Sequence, residues 1–127
     1  MPDLRYKRIL LKLSGEILAG NSGFGIDPEK ASYLANEIKS IHEIGLDIGL
    51  IIGAGNIFRG IEAASRGMDR VTGDYLGMLA TIMNAISMQD ALEKVNCQTR
   101  TLSAIDVKQI SEPYIRRRAI RHIEKGR

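Results

Sequence analysis

The stretch LDIGLIIGAGNIFRG, residues 46–60, runs an apolar segment straight into Gly53, Gly55 and Gly60, with Arg59 close behind. LDIGLII, 46–52, reads as a strand. Glycine has no Cβ and tolerates positive φ, so glycines at a strand mouth suit backbone that approaches a ligand closely. Amide N–H groups left free in such a turn can face an anion. A plain tight turn would use glycine as well, so the neighbouring segments must decide.

Upstream, YKRILLKL, 6–13, ends in a run of Ile and Leu and reads as a first buried strand. A glycine-spaced loop, SGEILAGNSGFG, follows over 14–25. Asp27-Pro28-Glu29 then marks a helix start, with an N-cap, a proline at the first position and an acidic residue near the positive dipole end. Ala31, Leu34, Ala35, Ile38 and Ile41 share one face of that helix, and Gly45 is its stop. Downstream, a second helix is expected over about 75–94, with Leu76, Leu79, Ala80, Met83 and Ile86 as its stripe. CQTRTLSA, 97–104, reads as a third strand and 113–125 as a final helix. Met78, Met83 and Met88 read as core filler.

Strands alternating with helices predict an α/β sandwich with a mainly parallel sheet. Right-handed crossovers place the loops that follow strands on one sheet edge, and ligands bind in the crevice there. Both glycine clusters fall at that edge.

The 127 residues suit a single domain, 1–127. No apolar run approaches the roughly 20 residues of a membrane span, and Ile9–Leu13 is too short for a signal-peptide core. Cys97 is the sole cysteine, which excludes an intrachain disulfide framework and makes a cytoplasmic location the expectation. The net charge of +3 is unevenly placed: residues 1–115 carry a net −2 and RRRAIRHIEKGR, 116–127, a net +5. That segment reads as a solvated helix with Ile115, Ala119 and Ile123 on one side. A nucleic-acid patch is the sharper alternative, but no aromatic residues interleave the charges.

Lys12 stands near the end of the first strand, just before Ser14-Gly15. Its ammonium must reach water or pair with an anion, and a phosphate in the crevice would satisfy it. Arg59 can grip phosphate bidentately, or serve as an ordinary surface arginine. Asp74, in VTGDYLG, either favours a helix dipole or accepts hydrogen bonds from ribose hydroxyls. Neither G-x-x-x-x-G-K-[ST] nor G-x-G-x-x-G is present. His42 and His122 fall on charged helical surfaces and, with Cys97, make no metal constellation. No Ser/His/Asp group or carboxylate pair supports hydrolysis.

YKRILLKLSGE, GFGID, IIGAGNIFRG, RVTGDYLGMLATIMNAISMQDAL and SAI, in that order and spacing, closely resemble the bacterial uridylate (UMP) kinases of the amino acid kinase superfamily. The resemblance covers residues 6–127, and GDYLGMLATIMN is its most specific stretch. It implies a three-layer α/β/α sandwich, of which this chain would be the N-terminal, UMP-binding and phosphate-loop half. It also implies that Lys12, Leu13, Ser14 and Gly15 line the ATP phosphates, joined by Gly55 and Arg59. Lys12 and Arg59 would be the catalytic pair. Ala54 and Asp74 match UMP-contacting positions; Ala54 stands where the family often has glycine, and a backbone N–H remains.

By the same resemblance, Gly20, Asn21, Ser22, Gly23, Phe24 and Gly25 match a region where several members bind the activator GTP. UTP would be a feedback inhibitor and the assembly a homohexamer. The implied reaction transfers the γ-phosphoryl of ATP, carried with Mg2+, reversibly to UMP in pyrimidine nucleotide (CTP and UTP) biosynthesis. The acceptor is an ionised phosphate oxygen, so no general base is required. No protein metal site, membrane or nucleic-acid partner is expected. Two alternatives remain: another phosphotransferase of the superfamily, or a non-catalytic assembly, effector-binding or RNA-binding module.

Overall fold

A computed structural model of the chain describes residues 3–58 and 60–127. Strand β1, Arg8–Leu13, and strand β2, Asp47–Ile52, pair in parallel from Arg8↔Asp47 to Leu13↔Ile52. In-register pairing brings both strands to an end together, so the loops after them leave the sheet at the same edge. An Arg8–Asp47 ion pair, 3.2 Å, closes the opposite end. It is too exposed to contribute more than about 1 kcal/mol.

Helix α1, Pro28–Glu43, makes the crossover between the strands. The Asp27 carboxylate accepts the Glu29 N–H at 3.0 Å, Pro28 opens the helix, and Gly45 leaves it at φ +100°. Ala31, Leu34, Ala35 and Ile38 are buried, as their spacing predicts. They pack with Leu18, Ile52, Met88, Leu92 and Cys97 into one core, which Leu13, Ile48 and Leu50 extend. One sheet face is therefore covered by α1 and by helix α3, Arg70–Lys94. The other face presents Leu10, Lys12 and Ile51, all exposed.

Between β2 and α3 lies a short helix, α2, Gly60–Ser65, which the apolar spacing does not announce. The helix expected from about residue 75 begins at Arg70, capped by Asp69, whose carboxylate accepts from the Thr72 N–H at 3.1 Å. Its inward face matches the expected stripe only in part. Ala80 is buried as expected, together with Gly73, Asn84, Met88 and Leu92, whereas Leu76, Leu79 and Met83 are exposed. Of the three methionines, Met88 fills the core and Met78 and Met83 lie on the surface.

The expected strand 97–104 reduces to β3, Leu102–Ser103, paired in parallel with β4, Glu112–Pro113. The Thr99 and Thr101 N–H groups donate to the Glu93 and Gln89 side chains of α3 at 2.9 and 3.1 Å, so these donors are met by a helix rather than by a strand. Among the described residues β2 has a strand on one side only. Along its other side runs a cavity of about 520 Å³, flanked by Thr99, Thr101 and residues Ala119 and Ile123 of helix α4, Arg116–Glu124.

Candidate functional site

Where β1 ends, Ser14 caps a single 3-10 turn, Gly15–Leu18, its hydroxyl accepting the Glu16 N–H at 3.3 Å. Leu18 is fully buried and anchors this turn in the core. Where β2 ends, the Gly53 N–H continues the ladder to the Leu13 carbonyl at 2.9 Å. The chain then turns, with the Ile57 and Phe58 N–H groups donating to the Ala54 carbonyl at 2.9 and 3.0 Å. The two turns are pressed together. A Cβ on Gly15 would collide with the Gly53 carbonyl and lie 2.5 Å from Asn56 Oδ1. Close approach of backbones, not a left-handed φ, is what requires glycine there.

The glycine loop 20–25 closes onto the same place. Its base is tied by the Asp27 N–H to the Leu18 carbonyl, 2.7 Å, and by the Gly25 N–H to the Asn56 carbonyl, also 2.7 Å. Gly25 has φ +80°, a conformation that other residues adopt only with strain. Beside these turns a cleft of about 570 Å³ opens, walled by Glu16, Gly23, Phe24, Gly55, Phe58 and Arg66 among others. The two glycine clusters thus share one concavity, as their placement after parallel strands predicts.

Lys12 lies on the exposed sheet face opposite Ile51 and makes no ion pair among the described residues. Leu13 packs against the core while its carbonyl holds Gly53. Asp74 sits on the second turn of α3 and pairs with Arg70 at 3.0 Å, since the cap position belongs to Asp69. Neither Lys12 nor Asp74 lines the cleft beside Gly55. Arg59 lies outside the described residues.

Asn56 and Asn84 carry no role in the motif reading, yet both are buried and bonded to each other beneath the turns. The signal for Asn84 is a polar residue on a helix face one turn from Ala80 and one turn from Met88. Arg66, at the cleft wall, was equally unmarked by any motif.

The two histidines are more enclosed than a charged surface position implies. His42 Nδ1 is 2.9 Å from the Leu46 carbonyl and its Nε2 is 3.2 Å from the Gly126 carbonyl. His122 Nε2 is 2.9 Å from Glu112, and its Nδ1 meets Arg127 at 3.1 Å. Arg118 approaches the same Glu112 at 3.9 Å, so part of the basic segment is engaged internally. Cys97 is buried, and desolvation with the nearby Glu93 carboxylate pushes its thiol pKa up from the ordinary 9.0. Among the described residues no His, Cys, Asp and Glu cluster could hold a metal, and no helix is long and apolar enough to cross a membrane.

Comparison with known proteins agrees with this architecture. A uridylate kinase of Dichelobacter nodosus (strain VCS1703A) is 57% identical over 125 residues, covering 98% of this chain and 52% of that protein. A uridylate kinase of Limosilactobacillus reuteri (strain DSM 20016) is 54% identical over 127 residues, 100% of this chain and 53% of that protein. The chain therefore spans about half the length of these curated relatives. The crystal structure of a UMP kinase from Bacillus anthracis superposes with a TM-score of 0.88 at 42% identity, over 95% of this chain and 50% of that one. A UMP kinase from Ureaplasma parvum gives a TM-score of 0.88 at 35% identity, over 97% and 54%. The α/β fold with parallel strands is the fold of those kinases, and with the amino acid kinase family pattern matching residues 7–126, this chain belongs to the amino acid kinase family.

Proposed function

We infer that this chain is the phosphate-loop half of a uridylate kinase, which transfers the γ-phosphoryl of ATP to UMP. The observation that carries the reading is the contact of Gly15 with Gly53 and Asn56, which joins the turns after two parallel strands beside one cleft. Identity above half to proteins named uridylate kinase supports the choice of UMP as acceptor.

In this reading Lys12 and Arg59 stabilise charge on the transferring group, with Leu13, Ser14, Gly15 and Gly55 along the ATP phosphates. Ala54 and Asp74 hold UMP. A UMP phosphate oxygen attacks Pγ, the bond from Pγ to the β-phosphate oxygen breaks, and ADP leaves with that electron pair. Positioning and electrostatics supply the catalysis, since the nucleophile is already ionised. Mg2+ would enter with the nucleotide substrate and would neutralise charge on its phosphates.

The same reading assigns GTP to the Gly20–Gly25 loop, UTP as an inhibitor, a homohexamer as the assembly and the cytoplasm as the location. Exposed apolar residues along α3, Val71, Tyr75, Met78, Leu79 and Met83, support self-association.

The test joins this chain to the C-terminal half of the Dichelobacter nodosus relative and offers UMP, CMP and acetylglutamate with Mg–ATP. ADP formation dependent on UMP is the expected result. Equal turnover with acetylglutamate, or none with UMP, overturns the assignment.

A further inference from the structure

Four segments of the chain meet on two buried amides. Asn56 is 1% exposed and Asn84 0%. Asn56 Nδ2 donates to the Gly25 carbonyl at 2.8 Å and to Asn84 Oδ1 at 3.1 Å. Asn84 Nδ2 donates to the Gly53 carbonyl at 2.7 Å and to Asn56 Oδ1 at 2.8 Å. All four amide hydrogens are thus used. Turning either amide over would set its oxygen against a carbonyl oxygen, so the network fixes both orientations.

The pair also has a geometry that packing alone does not need. Buried amides cost free energy unless every donor is met, and apolar residues of the same size would fill the space without that condition. Here the donors are aimed at backbone carbonyls of two separate loops. Gly25 is held twice by one residue, through the Asn56 side chain and through its own N–H to the Asn56 carbonyl. Gly15 rests against Gly53 and Asn56 Oδ1, so the first turn is packed on the same network.

We propose that Asn56 and Asn84 are positioning residues, a buried clamp that sets the Gly53–Gly55 turn for a phosphate group and carries the placement of the Gly20–Gly25 loop to it. The phosphate part rests on the reading given above; the link between the loops stands on the hydrogen bonds alone. A shift of Gly25 moves Asn56, whose amide is locked to Asn84, and Asn84 holds the Gly53 carbonyl. Satisfied side-chain networks of this kind rigidify what they touch.

The experiment follows amide exchange by NMR and tripolyphosphate binding by calorimetry on this chain. In the unmodified chain, the side-chain amide protons of Asn56 and Asn84 and the Gly25 N–H exchange slowly and together. Asn84→Asp keeps the size and the acceptor for Asn56 but removes both donors. It is expected to shift the Gly53 and Gly25 resonances alike, speed Gly25 exchange and weaken tripolyphosphate binding roughly tenfold, the effect of one lost buried bond.

Met88→Ala, one turn further along α3, is the control for simple destabilisation. It lowers the unfolding temperature while leaving Gly25 exchange and tripolyphosphate affinity within about twofold. Unchanged tripolyphosphate affinity in Asn84→Asp, or a Gly25 that does not respond while Gly53 does, overturns the clamp. Failure of the unmodified chain to bind tripolyphosphate overturns the phosphate reading, and Gly25 exchange then decides the loop link by itself. Should Asn84→Asp not fold, the unmodified chain decides: slow, joint exchange sustains the clamp and fast or independent exchange overturns it.

Discussion

Gly15 and Gly53 touch backbone to backbone, so closely that a methyl group on Gly15 would occupy the space of the Gly53 carbonyl. Neither neighbour can move aside cheaply. The Gly53 carbonyl is bonded to Asn84, and Asn56 Oδ1, 2.5 Å from the same point, is locked in the amide pair. Gly15→Ala is therefore expected to destabilise the chain by about 1–3 kcal/mol, the usual cost of forced overpacking. It should also separate the two turns. Chemical denaturation measures the first effect and ATP titration the second; an alanine variant of unchanged stability and affinity would show that the turns can part without loss.

Lys12 ends on the open face of the sheet with no internal ion partner among the described residues, so replacing it breaks no bond that the fold uses. In the chain joined to a C-terminal half, Lys12→Ala should leave stability nearly unchanged. It should lower kcat on the order of a hundredfold, as for other lost donors to developing charge. Steady-state kinetics separates the possibilities. Normal kcat with a raised KM would make Lys12 a ground-state binding residue only.

For Asp74, the observed partner is Arg70, in an exposed pair one helical turn apart. Such pairs are worth roughly 0.3–0.5 kcal/mol, too little for their loss to disturb the helix. Asp74→Asn is thus a clean probe of the ribose role. UMP affinity should fall while ATP affinity and the melting temperature hold. Calorimetry showing equal UMP binding in both proteins would leave Asp74 with a surface ion pair and nothing more.

Burial and the Glu93 carboxylate raise the Cys97 thiol above its ordinary 9.0. A raised folded pKa means that its contribution to stability is complete below that value and is lost as pH climbs through the folded one. Stability should therefore decline above about pH 9, and Cys97→Ala should flatten that decline. At neutral pH the thiol should react with an aromatic disulfide reagent only as fast as the chain opens. Rapid labelling of folded protein would contradict the burial.

What the sequence made legible was local. The cap, proline and acidic residue at Asp27–Glu29 and the stop at Gly45 are short-range signals, and α1 matches them residue for residue. The glycine turns after both strands were legible for the same reason. The inward face of α3 was legible only in part: Ala80 stands on the expected stripe, but Asn84 is turned inward by hydrogen bonds to the Gly53 carbonyl and to Asn56. An apolar stripe could not mark Asn84. Residues 97–101 look like a strand by composition, but the Thr99 and Thr101 N–H groups are met by Glu93 and Gln89, a tertiary choice that no periodicity records.

The last expectation concerns the chain by itself. It holds Lys12, both glycine turns and Asp74, so weak binding of phosphate groups is expected. Phosphoryl transfer needs two nucleotides held in line, and a misplacement of about 1 Å already costs on the order of a hundredfold. The relatives bring about as much chain again to that task. Here, among the described residues, β2 has a strand on one side only, Leu10 and Ile51 lie open on the sheet, and α3 exposes Leu76, Leu79 and Met83. Apolar surface exposed in this way favours association between copies. The 127-residue chain should therefore self-associate with rising concentration in sedimentation velocity and form no ADP from ATP and UMP above a protein-free control. Steady UMP-dependent turnover by a preparation whose intact mass matches these residues alone would show that the phosphate-loop half suffices for catalysis.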